Sequence, residues 1–375
     1  MTFDLVLHGG RVIDPSQGID VVTDVGFKDG RIAEIGAGLS GAEVRDVSGL
    51  IVTPGLIDLH THVYWGGTSL GVDPLRLARG GCTTLVDAGS AGPGNYPGFL
   101  EHVIRTSSPV KILAFLNVSF AGIYGFAQRV MVGESGDLRL MAPAEAVEVA
   151  NANPDTIVGI KVRVGLHASQ FSGVIPLDIA RQTAEELGLP MMVHIDHPPP
   201  TLEDVLARLR LGDILTHCFR PFPNNPATAD GGVRSAVIEA RKRGILFDIG
   251  HGMGSFEFKT ARAMMANGFA PDCISSDVHA LCIDGPAFDL LTTMSKFLCL
   301  GMKLDDVVRA ATATPAKAIR RDDLGSLLPG SVGDASILEL ERGAFDYVDV
   351  VGERMRGEWR LTPRGVVLNG QSWNR

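Results

Sequence analysis

Between residues 55 and 278 the chain returns eight times to a short apolar run, and most of these runs are followed by apolar residues at helical spacing. The runs cover residues 55–62, 83–89, 110–118, 156–164, 190–196, 213–219, 245–250 and 273–278. Strands that are apolar on both faces belong in a parallel sheet with helices covering both sides. The intervening stretches fit that reading. PLDIARQTAEELG (176–188) has a helical apolar stripe and a terminal glycine, TLEDVLARLRLG (201–212) opens on a threonine cap, and RSAVIEARKRG (234–244) closes on basic residues and glycine. Eight strands with crossovers predict a (β/α)8 TIM-like barrel over residues 54–322. An open doubly wound sheet is the alternative.

The two ends have a different texture. Residues 1–53 read as short strands broken by turn signals, with Asp29-Gly30 as a hairpin tip. Such a segment cannot close a core alone, and residues 323–375 are again strand and turn. Both ends are therefore expected to build one small β-sandwich domain, 1–53 with 323–375. A net charge of −9 argues against broad binding to nucleic acid or an anionic membrane. The five cysteines are scattered without a CxxC pair, so neither a disulfide framework nor a zinc finger is indicated. No basic segment followed by an apolar one opens the chain, and no apolar stretch is long enough to span a bilayer, so a cytoplasmic enzyme is expected.

The first run carries the chemistry. In PGLIDLHTHVYWGG (54–67), His60 and His62 are one residue apart, so a strand points both imidazoles to the same side. Paired neutral imidazoles at a strand end suit a divalent metal ion. Other strand ends add Lys161, His194, His217 and Asp277. Each has an ordinary explanation taken singly: a histidine caps a carbonyl, an aspartate caps a helix. His8, His102 and His167 read as incidental. Lys161 resists such a reading, because GIKVRVG places an ammonium inside an apolar strand, where it is costly without a partner.

Together the PGLIDLHTH strand, Lys161, His194, His217 and Asp277 resemble the binuclear-metal amidohydrolase superfamily, in its dihydroorotase-like and deacetylase branch. ATATPAKAIRR (311–321) and LGSLLPGSVGDASILEL (324–340) resemble its late helix and its return into the sandwich, so the likeness spans nearly the whole chain. The resemblance implies two divalent ions, zinc first and Mn2+, Co2+ or Fe2+ as substitutes. His60, His62 and Asp277 would hold one and His194 and His217 the other. Lys161, carboxylated by CO2 to a carbamate, would bridge them, and Asp277 would be the catalytic proton shuttle. The implied reaction is hydrolysis of an amide or activated ester in a small carboxylate such as an N-acyl amino acid or an acetylated 2-hydroxy acid. A cyclic amidohydrolase is the alternative. A mononuclear deaminase is disfavoured because HIDHPPP lacks the expected glutamate, and a non-catalytic barrel because all six ligands are present.

Dihydroorotases resembling this superfamily carry His-x-His-x-Arg; here Tyr64 stands at that place, followed by Trp65. Both are candidates for an aromatic substrate wall, as is the GHGMGS turn (Gly250 to Ser255), through Gly252, for close approach to a ligand. Alternation supplies two more contacts. With Lys161 facing inward, Arg163 faces inward too, about 6.6 Å nearer the mouth, and its fork suits a carboxylate. Pairing with Asp196 or Asp284 is the competing role for Arg163. His279 follows Asp277 by the same spacing. A small-molecule substrate and a homo-oligomer are expected, with neither nucleic acid nor a membrane as partner.

Overall fold

In the computed structural model, which describes residues 2–373, the N-terminal part folds as β1 (Phe3–Asp14), β2 (Ile19–Lys28), β3 (Arg31–Gly36), β4 (Gly41–Asp46) and β5 (Ile51–Pro54). The central runs follow as β6 (Leu56–Thr61), β7 (Cys82–Ala88), β8 (Lys111–Asn117), β9 (Ile157–Val164), β10 (Met191–Ile195), β11 (Ile214–Leu215) and β12 (Leu246–Phe247). The chain then adds β13 (Ala335–Val348), β14 (Arg354–Leu368) and β15 (Gln371–Trp373). Strands β6 to β12 form one parallel sheet in sequence order. Every residue of β6, β7 and β9 is buried, as apolar runs between two helical layers require. Helix Ile175–Leu187 ends where Gly188 turns left-handed, at φ +63°.

The eighth run is not a ladder strand. Residues 273–278 lie between the two edges of the sheet, bridging Asp248 to Cys273 and Thr61 to Val278. Ile249 N donates to Cys273 O (3.1 Å), Asp277 N to His60 O (2.7 Å) and His62 N to Val278 O (3.0 Å). The segment leaves the extended region because Asp277 takes φ +46° and buried Asp58 accepts from the Ser276 amide (2.9 Å) and hydroxyl. Strands β11 and β12 stop short of their expected 213–219 and 245–250 for a related reason: the chain turns left-handed at His217 (φ +65°) and Gly250 (φ +48°). The expected helix 201–212 ends at Leu206, since the Arg210 amide donates to Asp213 instead of continuing the helix (2.8 Å).

The terminal strands form a single eight-stranded sheet, ordered β15-β14-β13-β5-β1-β2-β3 with β4 on β1, and not two separate sheets of a sandwich. Strand β5 is the reason: it pairs parallel with β1 and antiparallel with β13, joining the halves edge to edge. The sheet has its own core, including Leu5, Val25, Phe27, Val52, Ile337 and Val367. Asp29 (φ +51°) and Gly30 (φ +75°) make the β2–β3 hairpin tip, as the dipeptide predicts. Only Gly55 separates β5 from β6, so the sheet ends where the first histidine-bearing strand begins. Among the described residues no helix is long and apolar enough to cross a membrane.

Candidate metal centre

At the C-terminal ends of the parallel strands one pocket is lined by His60, His62, Lys161, Arg163, His194, His217, Asp277 and His279, with Leu70, Ile123 and Phe126 as its apolar wall. Alternation sends His60 on β6 and His62, one residue beyond its end, to the same side, their rings 5.4 Å apart. Nε2 of His60 and of His62 lie 3.2 and 3.1 Å from Asp277 Oδ1. Across the pocket, Nδ1 of His194 faces Nε2 of His217 at 2.7 Å. Two ring nitrogens that close share one proton; the same two lone pairs would suit a single cation.

The outer nitrogens decide which lone pairs face the pocket. Thr216 Oγ1 donates to Asp248 Oδ2 (2.7 Å), so it accepts from His60 Nδ1 (2.9 Å), leaving Nε2 unprotonated toward Asp277. His62 Nδ1 likewise meets Ser90 Oγ (2.9 Å), which is bonded in turn to Asp87. His217 Nδ1 donates to Gly250 O (2.8 Å). Burial holds His60, His194 and His217 well below the usual histidine range and His62 down to about 3, so the rings are neutral at pH 7. Neutral imidazoles are what a metal requires.

Lys161 is fully buried, and its Nζ has no hydrogen-bond partner. Burial pushes its pKa down to about 7. Gly89 makes room for its stem: at φ +86°, a β-carbon there would come within 2.6 Å of Lys161 Cγ. His194 Nε2 is also buried without a partner. The orphaned Lys161 nitrogen, four neutral imidazoles and a carboxylate pushed up to about 6 by burial (Asp277) form a donor set that divalent ions would complete.

Arg163 lies inside the pocket, 8% exposed, with its guanidinium 5.1 Å from the Phe126 ring. Its partner is Glu134 (Nη1 to Oε2, 3.2 Å), whereas Asp196 accepts backbone amides and Asp284 pairs with Arg76. In His279 the Leu281 amide donates to Nδ1 (3.2 Å), which places the ring proton on Nε2. Tyr64 and Trp65 stand outside the cleft and form no substrate wall. Tyr64 packs on Phe99 (4.8 Å) and donates to Asn95 O (3.1 Å), because the chain turns sharply after His62; Trp65 is 60% exposed. Gly252 does not line the pocket either. At φ +51° it backs Asp277, where a β-carbon would meet Oδ2 at 2.2 Å, and Gly250 gives the same clearance to Thr216 and His217. The sequence reading missed Glu134, Phe126, Thr216 and Asp248; none stands in a motif.

Imidazoles, a lysine and an aspartate converging at the carboxyl ends of parallel strands define a metal-dependent hydrolase of the α/β class. An Amidohydrolase family profile matches residues 255–372. A deacetylase from Agrobacterium fabrum is 36% identical over 348 residues, covering 92% of this chain and 84% of the relative. Two crystal structures are similar end to end: an adenine deaminase (TM-score 0.92, 27% identity, all of both chains) and a dihydroorotase (TM-score 0.89, 34% identity, 98% of both chains). The chain belongs to the amidohydrolase superfamily.

Proposed function

We propose that this protein is a two-metal hydrolase that cleaves an amide or activated ester bond in a small carboxylate, such as an N-acyl amino acid or an acetylated 2-hydroxy acid. In this reading residues 54–322 are a (β/α)8 barrel, with 273–278 as its eighth stave, and 1–53 with 323–375 are its companion domain. His60, His62 and Asp277 would hold one divalent ion and His194 and His217 a second. Lys161 would serve both as a carbamate, made when neutral Nζ bonds to CO2 and releases a proton. Bound zinc-class ions supply Lewis acidity, polarising a carbonyl and lowering the pKa of water.

The chain's own groups perform the rest. Asp277 takes the proton of the attacking water and hands it to the leaving nitrogen or oxygen. His279 Nε2–H donates to substrate oxygen, and Leu70, Ile123 and Phe126 exclude water from the acyl group. Arg163 carries the assignment of substrate class. A buried guanidinium beside the cluster, with a single carboxylate partner, still has donors to offer a substrate carboxylate. The relative named deacetylase supports the acyl reading. The dihydroorotase of similar structure keeps a cyclic amide as the second reading. The adenine deaminase of similar structure makes adenine a further substrate to be tested.

The deciding experiment is a panel assayed with metal-replete enzyme: N-acetyl amino acids, acetylated 2-hydroxy acids, dihydroorotate and hydantoins, each chiral compound as both enantiomers, together with adenine. Turnover confined to the cyclic amides, or to adenine, would overturn the acyl reading. With the best substrate, Arg163→Met is expected to lower kcat/KM about tenfold or more, the loss of a charge-assisted bond. For the substrate's carboxamide analogue the loss should be much smaller. Equal losses on both would show that Arg163 only braces Glu134.

A further inference from the structure

A second ligand-type cluster lies on the loops after β9 and β10. His167, Asp196 and His197 present three ligand atoms within 4.8 Å of one another. The arrangement is built by the backbone. Leu166 N donates to His197 O (2.7 Å), and the amides of His167 and Ala168 donate to Asp196 Oδ1 and Oδ2 (3.2 and 3.0 Å). Gly165, at φ +140°, makes space for that carboxylate, since a β-carbon there would meet its oxygens at 2.2 and 2.5 Å. Each carboxylate oxygen keeps a lone pair beyond its one amide bond.

The two rings stand edge to face, centroids 5.2 Å apart, and are exposed while Asp196 is buried. Among the described residues, neither imidazole has a hydrogen-bond partner on its ring nitrogens. Two solvent-facing imidazoles thus converge on one carboxylate that the backbone holds in place. Two imidazoles and a carboxylate are a donor set typical of zinc, with the fourth position left to water.

We propose that His167, His197 and Asp196 form a rim site for a zinc-class divalent cation, one that clamps the loop after β9 to the loop after β10. It is distinct from the ions assigned to the pocket, and His167 is then a ligand where the sequence alone makes it incidental. The two sites approach through one carboxylate: Asp196 Oδ2 is 3.8 Å from His194 Nε2.

The test uses the holoenzyme, its resident metal counted first by elemental analysis, then titrated with Zn2+ in equilibrium dialysis. One further ion per chain is expected. His167→Gln and His197→Gln should each weaken that ion at least about tenfold, the lower bound set by losses at outer-shell positions. The double variant should abolish it, with resident metal content and kcat unchanged. Asp196 is left intact because of its proximity to His194. Absence of the further ion in the parent protein, or its persistence in the double variant, would overturn the proposal. The resident count is read separately, so failure of the two-metal reading would leave this test standing.

Discussion

Lys161→Met is expected to empty the metal centre and to lower kcat/KM at least about a hundredfold, more than the 10–100-fold cost of outer-shell changes around a metal. Methionine keeps the apolar stem that packs against Gly89 and deletes only the nitrogen. The fold should therefore survive, since Nζ makes no hydrogen bond whose loss would strand a partner. Elemental analysis beside a thermal melt reads both halves: about two ions per chain in the parent, fewer in the variant, and similar melting temperatures. Apo-protein reloaded with zinc should regain activity faster with bicarbonate than without. A Lys161→Met protein that holds both ions and turns over normally would remove the carbamate from the scheme.

Asp277→Asn is the second large effect. The amide fits the same space beside Gly252 and cannot accept the water's proton, so kcat should fall about 10²–10⁴-fold, the usual contribution of a general acid–base. Because the proposed ground-state contacts are Arg163 and the apolar wall, KM should change little. Metal content must be measured alongside, since Asp277 is also a proposed ligand. An unchanged kcat with full metal content would transfer the proton step to another group.

The parts of this site that strands carry were legible in the sequence, because strand geometry is local. Period-two alternation alone puts His60 beside His62 and brings Arg163 inward with Lys161, and both hold in the folded chain. What loops carry was not legible. Glu134 reaches Arg163 from a glycine-rich stretch 29 residues upstream, and no periodicity announces it. Tyr64 stands two residues beyond His62, yet the turn ends alternation there and rotates its ring into the core. The eighth run (residues 273–278) reads as a strand from its place after the seventh and from Cys273, Ile274 and Val278, although Ser275, Ser276 and Asp277 are polar. Asp58, a buried acid on a neighbouring strand, bends it through Ser276. Such side-chain capture of backbone depends on tertiary neighbours.

The stitching of β5 between β1 and β13 has a consequence for the order of synthesis. Ile51–Pro54 pairs with Leu338–Ala335, and the next residues are held by the same late strand: Gly55 N donates to Asp334 O (3.1 Å) and Leu56 N to Ser336 Oγ (3.0 Å). A nascent chain thus exposes His60 and His62 long before the residues that tether their strand have left the ribosome. Until then a free strand edge and the two candidate metal-ligand imidazoles are open to wrong partners. The final forty or so residues act last and lock the strand that carries His60 at its root, so a ribosome stalled before residue 335 should release a protein unable to hold metal at the proposed centre.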